Sequence, residues 1–330
     1  MRRAGGFTLV ELMIAMLLGL VVIGGVVSVF IAGQRSYATN KAIADVQDGA
    51  RIAFELMARD IRDAGLTGCN NNGRVANVLT NPTAQWYTDW NNAVHGYGPS
   101  QVDPAVAFGT SPGDRSSAAN SDSLQLIGAG DLGLTVNQRI NAANFKINET
   151  TTDLHDNDII VVCDPDHSAI LQVTNYQSTN KTVVHNSGAG SGSIGNCSKG
   201  LGYPTVCTTN GNAYEYGPNS QIALLTAKDW YIGVNPLGGT SLYLVSISND
   251  GTTITTPRQE MVRDVTSMTI QYHMKNGTNF VPATGVTDWS AVDAVRVTLK
   301  MESTDKRAGT NAKAIARSFT ATTTIRNRVQ

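Results

Sequence analysis

From Leu12 to Gln34 the chain carries no charged residue, a run of 23 positions. As a helix that run would extend roughly 35 Å, enough for a hydrocarbon layer of about 30 Å. After Gln34 the pattern changes without breaking. Apolar residues recur at Ile43, Val46, Ala50, Ala53, Met57, Ile61 and Ala64, in steps of three and four, and Phe54 widens the stripe. The opposite face holds Lys41, Asp45, Asp48, Arg51, Glu55, Arg59, Arg62 and Asp63. This is the pattern of a helix lying on a domain. Asp48–Arg51, Glu55–Arg59 and Arg59–Asp63 stand at helical spacings with small stabilising effects, and Gly65 and Gly68 predict the end. One helix from Phe7 to Ala64 would run about 85 Å.

From 67 to about 120 the sequence is rich in Asn, Gly, Pro and Ser and reads as loops, with Trp86, Tyr87, Trp90 and Tyr97 anchoring them to a core. Strand-like runs follow at 124–127, 158–163, 169–174, 182–185, 221–226, 230–234, 241–248, 268–274, 291–301 and 314–325. Several alternate, as in Asp293, Val295, Val297 and Leu299 against Val292, Ala294, Arg296 and Thr298, the habit of half-buried antiparallel strands. Asn249-Asp250-Gly251 and Asn276-Gly277 supply turns. The expected fold class is α+β: one long N-terminal helix packed on antiparallel sheet.

Composition narrows the setting. Of 330 residues 41% are apolar, enough for a core, and only 15% are charged, below the roughly 25% of soluble domains. Thr, Asn, Ser and Gly fill the difference, which suits an extracytoplasmic β-rich protein. A formal net charge of −1, with no basic cluster after residue 62, offers no face for a nucleic-acid backbone. The four cysteines, Cys69, Cys163, Cys197 and Cys207, form no C-x-x-C pair, and an even number in an exported chain favours two disulfides. Three connectivities are open. Cys197 with Cys207 is favoured, since they flank a short loop containing Gly and Pro, which leaves Cys69 to clip the helix end to Cys163.

The N-terminus carries the most information. Arg2 and Arg3 precede the apolar run and hold that end cytoplasmic by the positive-inside rule, leaving the remainder outside. A secretory signal would be cut after its apolar region, and this run continues into a helical pattern instead. Glu11 stands near the start of the run, where an ionisable residue is expensive and implies a partner. Cleavage after Gly6 would create an α-amine at Phe7, one turn from Glu11 on the same helix face. In staggered subunits one chain's amine would meet its neighbour's Glu11, a register device in an apolar, poorly screened core.

Gly6-Phe7-Thr8-Leu9-Val10-Glu11-Leu12 resembles the class III signal peptide of type IV pilins and type II secretion pseudopilins. The resemblance implies cleavage after Gly6 by a prepilin peptidase, N-methylation of Phe7, and a role for Glu11 in assembly. It parses the chain into a leader over 1–6, a transmembrane or filament-core helix over 7–34, an amphipathic helix over 35–66 and a periplasmic or extracellular β-rich domain over 67–330. Many major pilins have a proline midway along this helix. Here the first is Pro82, and Gly19, Gly24, Gly25 and Gly33 supply local pliability or close packing.

Arg59–Cys69, Trp230-Tyr231-Ile232-Gly233, the Met261–Tyr272 stretch, Asp293–Leu299 and Ile325-Arg326-Asn327 resemble PilW-type minor pilins, and the same layout is similar to the J-type pseudopilin. The first resemblance implies a complex with other minor pilins and the major pilin that primes a pilus, sits near its tip under a large adhesin, and waits in the inner membrane as a single-pass protein with its C-terminus periplasmic. A tethered binding domain that never polymerises and a periplasmic enzyme are the readings from other classes.

Enzyme chemistry finds little support. Gly109-Thr110-Ser111-Pro112-Gly113 matches G-x-S-x-G but lacks the strand before and helix after that a nucleophile elbow needs. Gly190–Gly195 matches G-x-G-x-x-G outside any βαβ unit. Asp153, His155, Asp156, Asp158, Asp164, Asp166 and His167 form an acidic patch with no EF-hand spacing, read as turn residues rather than a Ca²⁺ site. His95, His185 and His273 show no partner at nucleophile or ligand spacing. No cofactor or metal is expected.

Overall fold

One α-helix, α1, runs unbroken from Leu9 to Asp63 in a computed structural model that describes residues 6, 8–69, 74–130, 132–188, 194–309 and 311–328. No proline interrupts it; Leu, Met and Ala favour the helix in its first half, where valines and Gly19, Gly24, Gly25 and Gly33 are carried despite their lower propensity. It stops where Gly65 and Gly68 take φ of 73° and 92°, left-handed values that side chains resist.

The chain divides into two compact units, Met1–Gly49 with Glu302–Arg317, and Ala50–Met301 with Ser318–Gln330. In the first, the loop 302–317 closes on itself through Ser303 N–H to Ile315 O and Ile315 N–H to Ser303 Oγ, both 2.9 Å. It is held to α1 by Thr39 Oγ1, which donates to Ala308 O at 2.5 Å, and by an apolar cluster of Ala42, Ala308 and Ile315.

The second unit holds the sheets. β1 (Val75–Asn77), β2 (Val94–Tyr97), β3 (Ser123–Ala129), β4 (Leu134–Asn141), β5 (Asn144–Ile147), β6 (Ile159–Cys163), β7 (Ser168–Gln172), β8 (Asn175–Gln177) and β9 (Thr182–Val184) precede the long β10 (Gln221–Val234). β11 (Thr240–Ser246), β12 (Ser248–Asn249), β13 (Ile254–Thr255), β14 (Arg258–Arg263), β15 (Val265–Met274), β16 (Phe280–Pro282), β17 (Val292–Glu302) and β18 (Ala316–Thr324) follow. β10 is the axis of the larger sheet. It pairs antiparallel with β6 and β4 through its first residues, then with β3 and β11. The second sheet runs β16-β15-β17-β18, and β15 lies against β3, β10 and β11. The fold is α+β.

Cys69 bridges to Cys163, tying the chain just after α1 to β6, and Cys197 bridges to Cys207. Of the aromatics between 67 and 120, Trp86, Tyr87 and Trp90 pack on an apolar cluster that includes Leu79, Ile127, Val161 and Ile170.

Three expectations change. The runs 221–226 and 230–234 are one strand, because the polar residues between them are absorbed: Lys228 is ion-paired and Asp229 is fully buried. The stretch 67–120 contains β1 and β2, each too short for a visible period, which pair with β7 and β3. β4, β5 and β14 were not expected, since Asn137, Gln138 and Arg139, for example, hide the alternation of β4.

Candidate functional site

The N-terminal turn is closed by two residues. Glu11 N–H donates to Thr8 Oγ1 at 3.3 Å, while Thr8 N–H and Oγ1–H donate to Glu11 Oε2 at 2.9 and 3.0 Å. This reciprocal arrangement satisfies amides that the first turn leaves without partners, and its signal is Thr-x-x-Glu. Both bonds fall on Oε2, which leaves Oε1 turned to the surroundings. Glu11 is therefore fixed by its own helix before any neighbour arrives. Gly6 is described; Phe7, the residue expected to become the new N-terminus, lies outside the described residues.

Beyond Glu11 the helix is uncovered. From Leu9 to Ile31 every large apolar side chain is at least 42% exposed. Burying one such side chain is worth roughly 1.5–3 kcal/mol, so the surface demands lipid or other subunits. The helix is long and apolar enough to cross a membrane.

The other end of α1 is gripped. Ala50, Ala53, Met57, Ile61 and Ala64 are buried, and Asp60 falls within that stripe. Lys228 Nζ lies 2.5 Å from Asp60 Oδ1, and Trp230 Nε1 donates to Oδ2 at 2.9 Å. Lys228 and Trp230 are two apart on β10, so they share one face of the sheet. The helix terminus is stitched to β3 by Gly65 N–H to Ile127 O and Ala129 N–H to Leu66 O, at 2.7 and 2.9 Å. The tail completes the grip: Asn327 Nδ2 donates to Gly65 O at 2.6 Å. Asp60 escaped the sequence reading, although a lone carboxylate between Met57 and Ile61 on an apolar stripe was a signal.

On the opposite face of β10 lies a buried polar group. Arg115 donates through Nη1 to Gln101 O and through Nη2 to Gly98 O and Ser121 O, tying the turn 98–101 and the segment at Ser121 to its own. Asp103 accepts from Gln125 Nε2 at 2.9 Å and from the Ser123 hydroxyl. Asp122 accepts the Ile270 amide at 2.6 Å, standing in for a strand beside β15. Neither oxygen of Asp229 accepts a hydrogen bond. Burial first, and Asp103 beside it second, push the Asp229 carboxyl well above the carboxylate range. These groups fix loops.

Residues 1–27 match the prokaryotic N-terminal methylation motif, and residues 229–327 match the Type IV Pilus-assembly protein W family. Both matched segments are consistent with a PilW-type minor pilin. The PilW segment opens at Asp229 and closes at Asn327, so it contains both Trp230 and Asn327, the side chains that hold Asp60 and Gly65. Residues 28–228 lie outside both matches. No curated protein and no solved structure matches the chain. A pilin leader on an apolar helix fits membrane anchoring, and both matched families point to a structural protein that meets other pilus components.

The remaining motifs take structural places. Ser111 N–H donates to Asp114 Oδ2 at 3.1 Å within a tight turn, with no helix following. Gly190 to Ser193 lie outside the described residues. Asp156 accepts the Tyr176 amide, Asp158 the His155 amide and Asn249 Nδ2, and Asp164 the amides of Asp166 and His167 and the Tyr214 hydroxyl. Among the described residues no group of three His, Cys, Asp or Glu is placed to hold a metal. The His95 ring lies tilted against those of Tyr97 and Trp289, with centroids 4.5 and 4.4 Å away. His273, expected without a partner, meets Asp293 at 2.6 Å and Gly277 O at 2.9 Å, because β17 brings Asp293 beside β15. Asp293 raises its pKa, chiefly through that hydrogen bond.

Proposed function

We propose that this chain is a minor pilin that helps to initiate a type IV pilus and stands near its tip. Prepilin peptidase cuts after Gly6 and Phe7 is methylated. The helix over 7–34 then holds the subunit in the inner membrane as a single pass, with the rest of the chain periplasmic. The observation that carries the reading is an uncovered apolar helix whose one carboxylate, Glu11, presents a free oxygen a single turn from the new terminus. A neighbour's α-amine meets that oxygen during assembly and sets the stagger. The amphipathic half of α1 and the β-rich part provide contacts to other minor pilins and the major pilin, and the tip position allows a large adhesin above.

The test is the N-terminal mass of the protein recovered from membranes, with and without prepilin peptidase. A chain beginning at methylated Phe7 only when the peptidase is present is the expected result. An intact Met1, or a cut beyond the apolar run, overturns the reading and leaves a tethered or secreted domain. Filament counts in cells lacking the chain, and its position by immunogold, test initiation and tip location separately.

A further inference from the structure

We propose that the loop Glu302–Arg317 docks on the anionic phospholipid headgroups of the membrane that α1 crosses. The inference rests on the membrane-spanning reading above. Thr39, which bonds the loop at Ala308, is five residues past Gln34, about 7.5 Å along the helix axis. The headgroup layer on each side of a bilayer is about 5–8 Å thick. The loop is thus fixed at headgroup depth by an internal hydrogen bond and by Ala42 packing on Ala308 and Ile315.

Charge follows the same ordering along the axis. The first ionisable residues after the apolar run are Arg35 and Lys41, and the first acid, Asp45, stands eleven residues past Gln34, beyond the layer. Arg35 and the loop's Arg307 line one open groove of about 930 Å³. Arg307 and Lys313 are exposed. The loop's two acids are outnumbered by Lys306, Arg307, Lys313 and Arg317: Asp305, which lines the same groove, accepts the Arg307 amide at 2.8 Å, and Glu302 lies 3.7 Å from Lys306 Nζ. A guanidinium suits a phosphodiester because it can present two parallel donors. Each cation near an anionic leaflet favours docking about fivefold. The surface is continuous with the apolar span, so lipid that solvates residues 12–34 also brings its headgroups to Arg35 and Arg307.

Hydrogen exchange on the full chain in nanodiscs tests this, comparing phosphatidylcholine alone with a phosphatidylglycerol mixture. With phosphatidylglycerol, residues 303–315 should exchange roughly tenfold more slowly. That protection should vanish at about 0.5 M salt and in the R307Q/K313Q variant. Residues 12–34 should stay protected throughout. Equal loop exchange in both lipids, with 12–34 protected, overturns the proposal and spares the span. Free exchange of 12–34 in both lipids overturns the span and the proposal together. Loop protection that survives R307Q/K313Q, or appears only with several copies per disc, also overturns it, the latter by pointing to a neighbour's acids.

Discussion

Trp230 donates its indole N–H to Asp60 across 170 residues of sequence, on a helix face otherwise made of alanine, methionine and isoleucine. Asp60 also holds Lys228, so its removal leaves two donors, one of them charged, without an acceptor. Breaking a buried pair costs about 3–5 kcal/mol, and the part-exposed Lys228 lowers this to roughly 2–3 kcal/mol for Asp60→Ala. Asp60→Asn keeps an acceptor for the indole and should lose about half as much. Urea unfolding followed by tryptophan fluorescence measures both.

Substitution can separate the turn that Glu11 closes from the register role proposed for it. Thr8→Ala removes the two bonds made by the hydroxyl and keeps the one from the residue-8 amide, at about 1 kcal/mol, and should speed exchange of the Glu11 amide while leaving entry into filaments intact. Glu11→Gln keeps a side chain that can close the turn and removes the charge, so it should leave exchange unchanged and abolish incorporation. Incorporation of Glu11→Gln at the parent level would refute the register role.

Two buried groups impose opposite pH slopes. The Asp229 pKa is raised on folding, so its stabilising contribution is full below the ordinary carboxylate range and is lost as pH rises through its folded value. Asp229→Asn should therefore melt with the parent near pH 4 and above it at pH 8. Burial pushes His185 down to about 4, so its contribution is present above the ordinary value near 6.5 and is lost as pH falls through 4. His185→Gln should flatten an acid loss on the order of 3 kcal/mol. Thermal melts across pH 4 to 8 read both slopes.

Gly128 permits the helix end to touch β3. A Cβ there would stand 2.6 Å from Asp63 O, a backbone atom that cannot swing aside. Gly128→Ala should cost about 2 kcal/mol or more, whereas Gly217→Ala, with nothing within 4 Å, should be nearly neutral. Melting temperatures of the two variants decide it.

What the sequence made legible was local and periodic. The uncharged run, the stripe from Val46 to Ala64, the glycines after it and the alternation of β17 each lie within a window of neighbouring residues. What stayed hidden depended on partners far away. Lys228 and Asp229 look like a break between strands until Asp60 and the buried Asp103 region account for them. Nothing near residues 302–317 announces that this loop belongs with the N-terminal helix. Thr8-x-x-Glu11 was readable but was overshadowed by the expected role of Glu11 between subunits.

The grip on the helix end also sets an order of events as the chain emerges and folds. Its acceptors, Asp60 and the Gly65 carbonyl, emerge early, while their donors at Lys228, Trp230 and Asn327 follow 168, 170 and 262 residues later. Contacts so distant along the chain form late. The span can therefore be seated while the stripe from Ala50 to Ala64 is still bare, and the grip closes only when Asn327 arrives. A chain truncated before Asn327 would keep its apolar span but hold its apolar stripe less firmly.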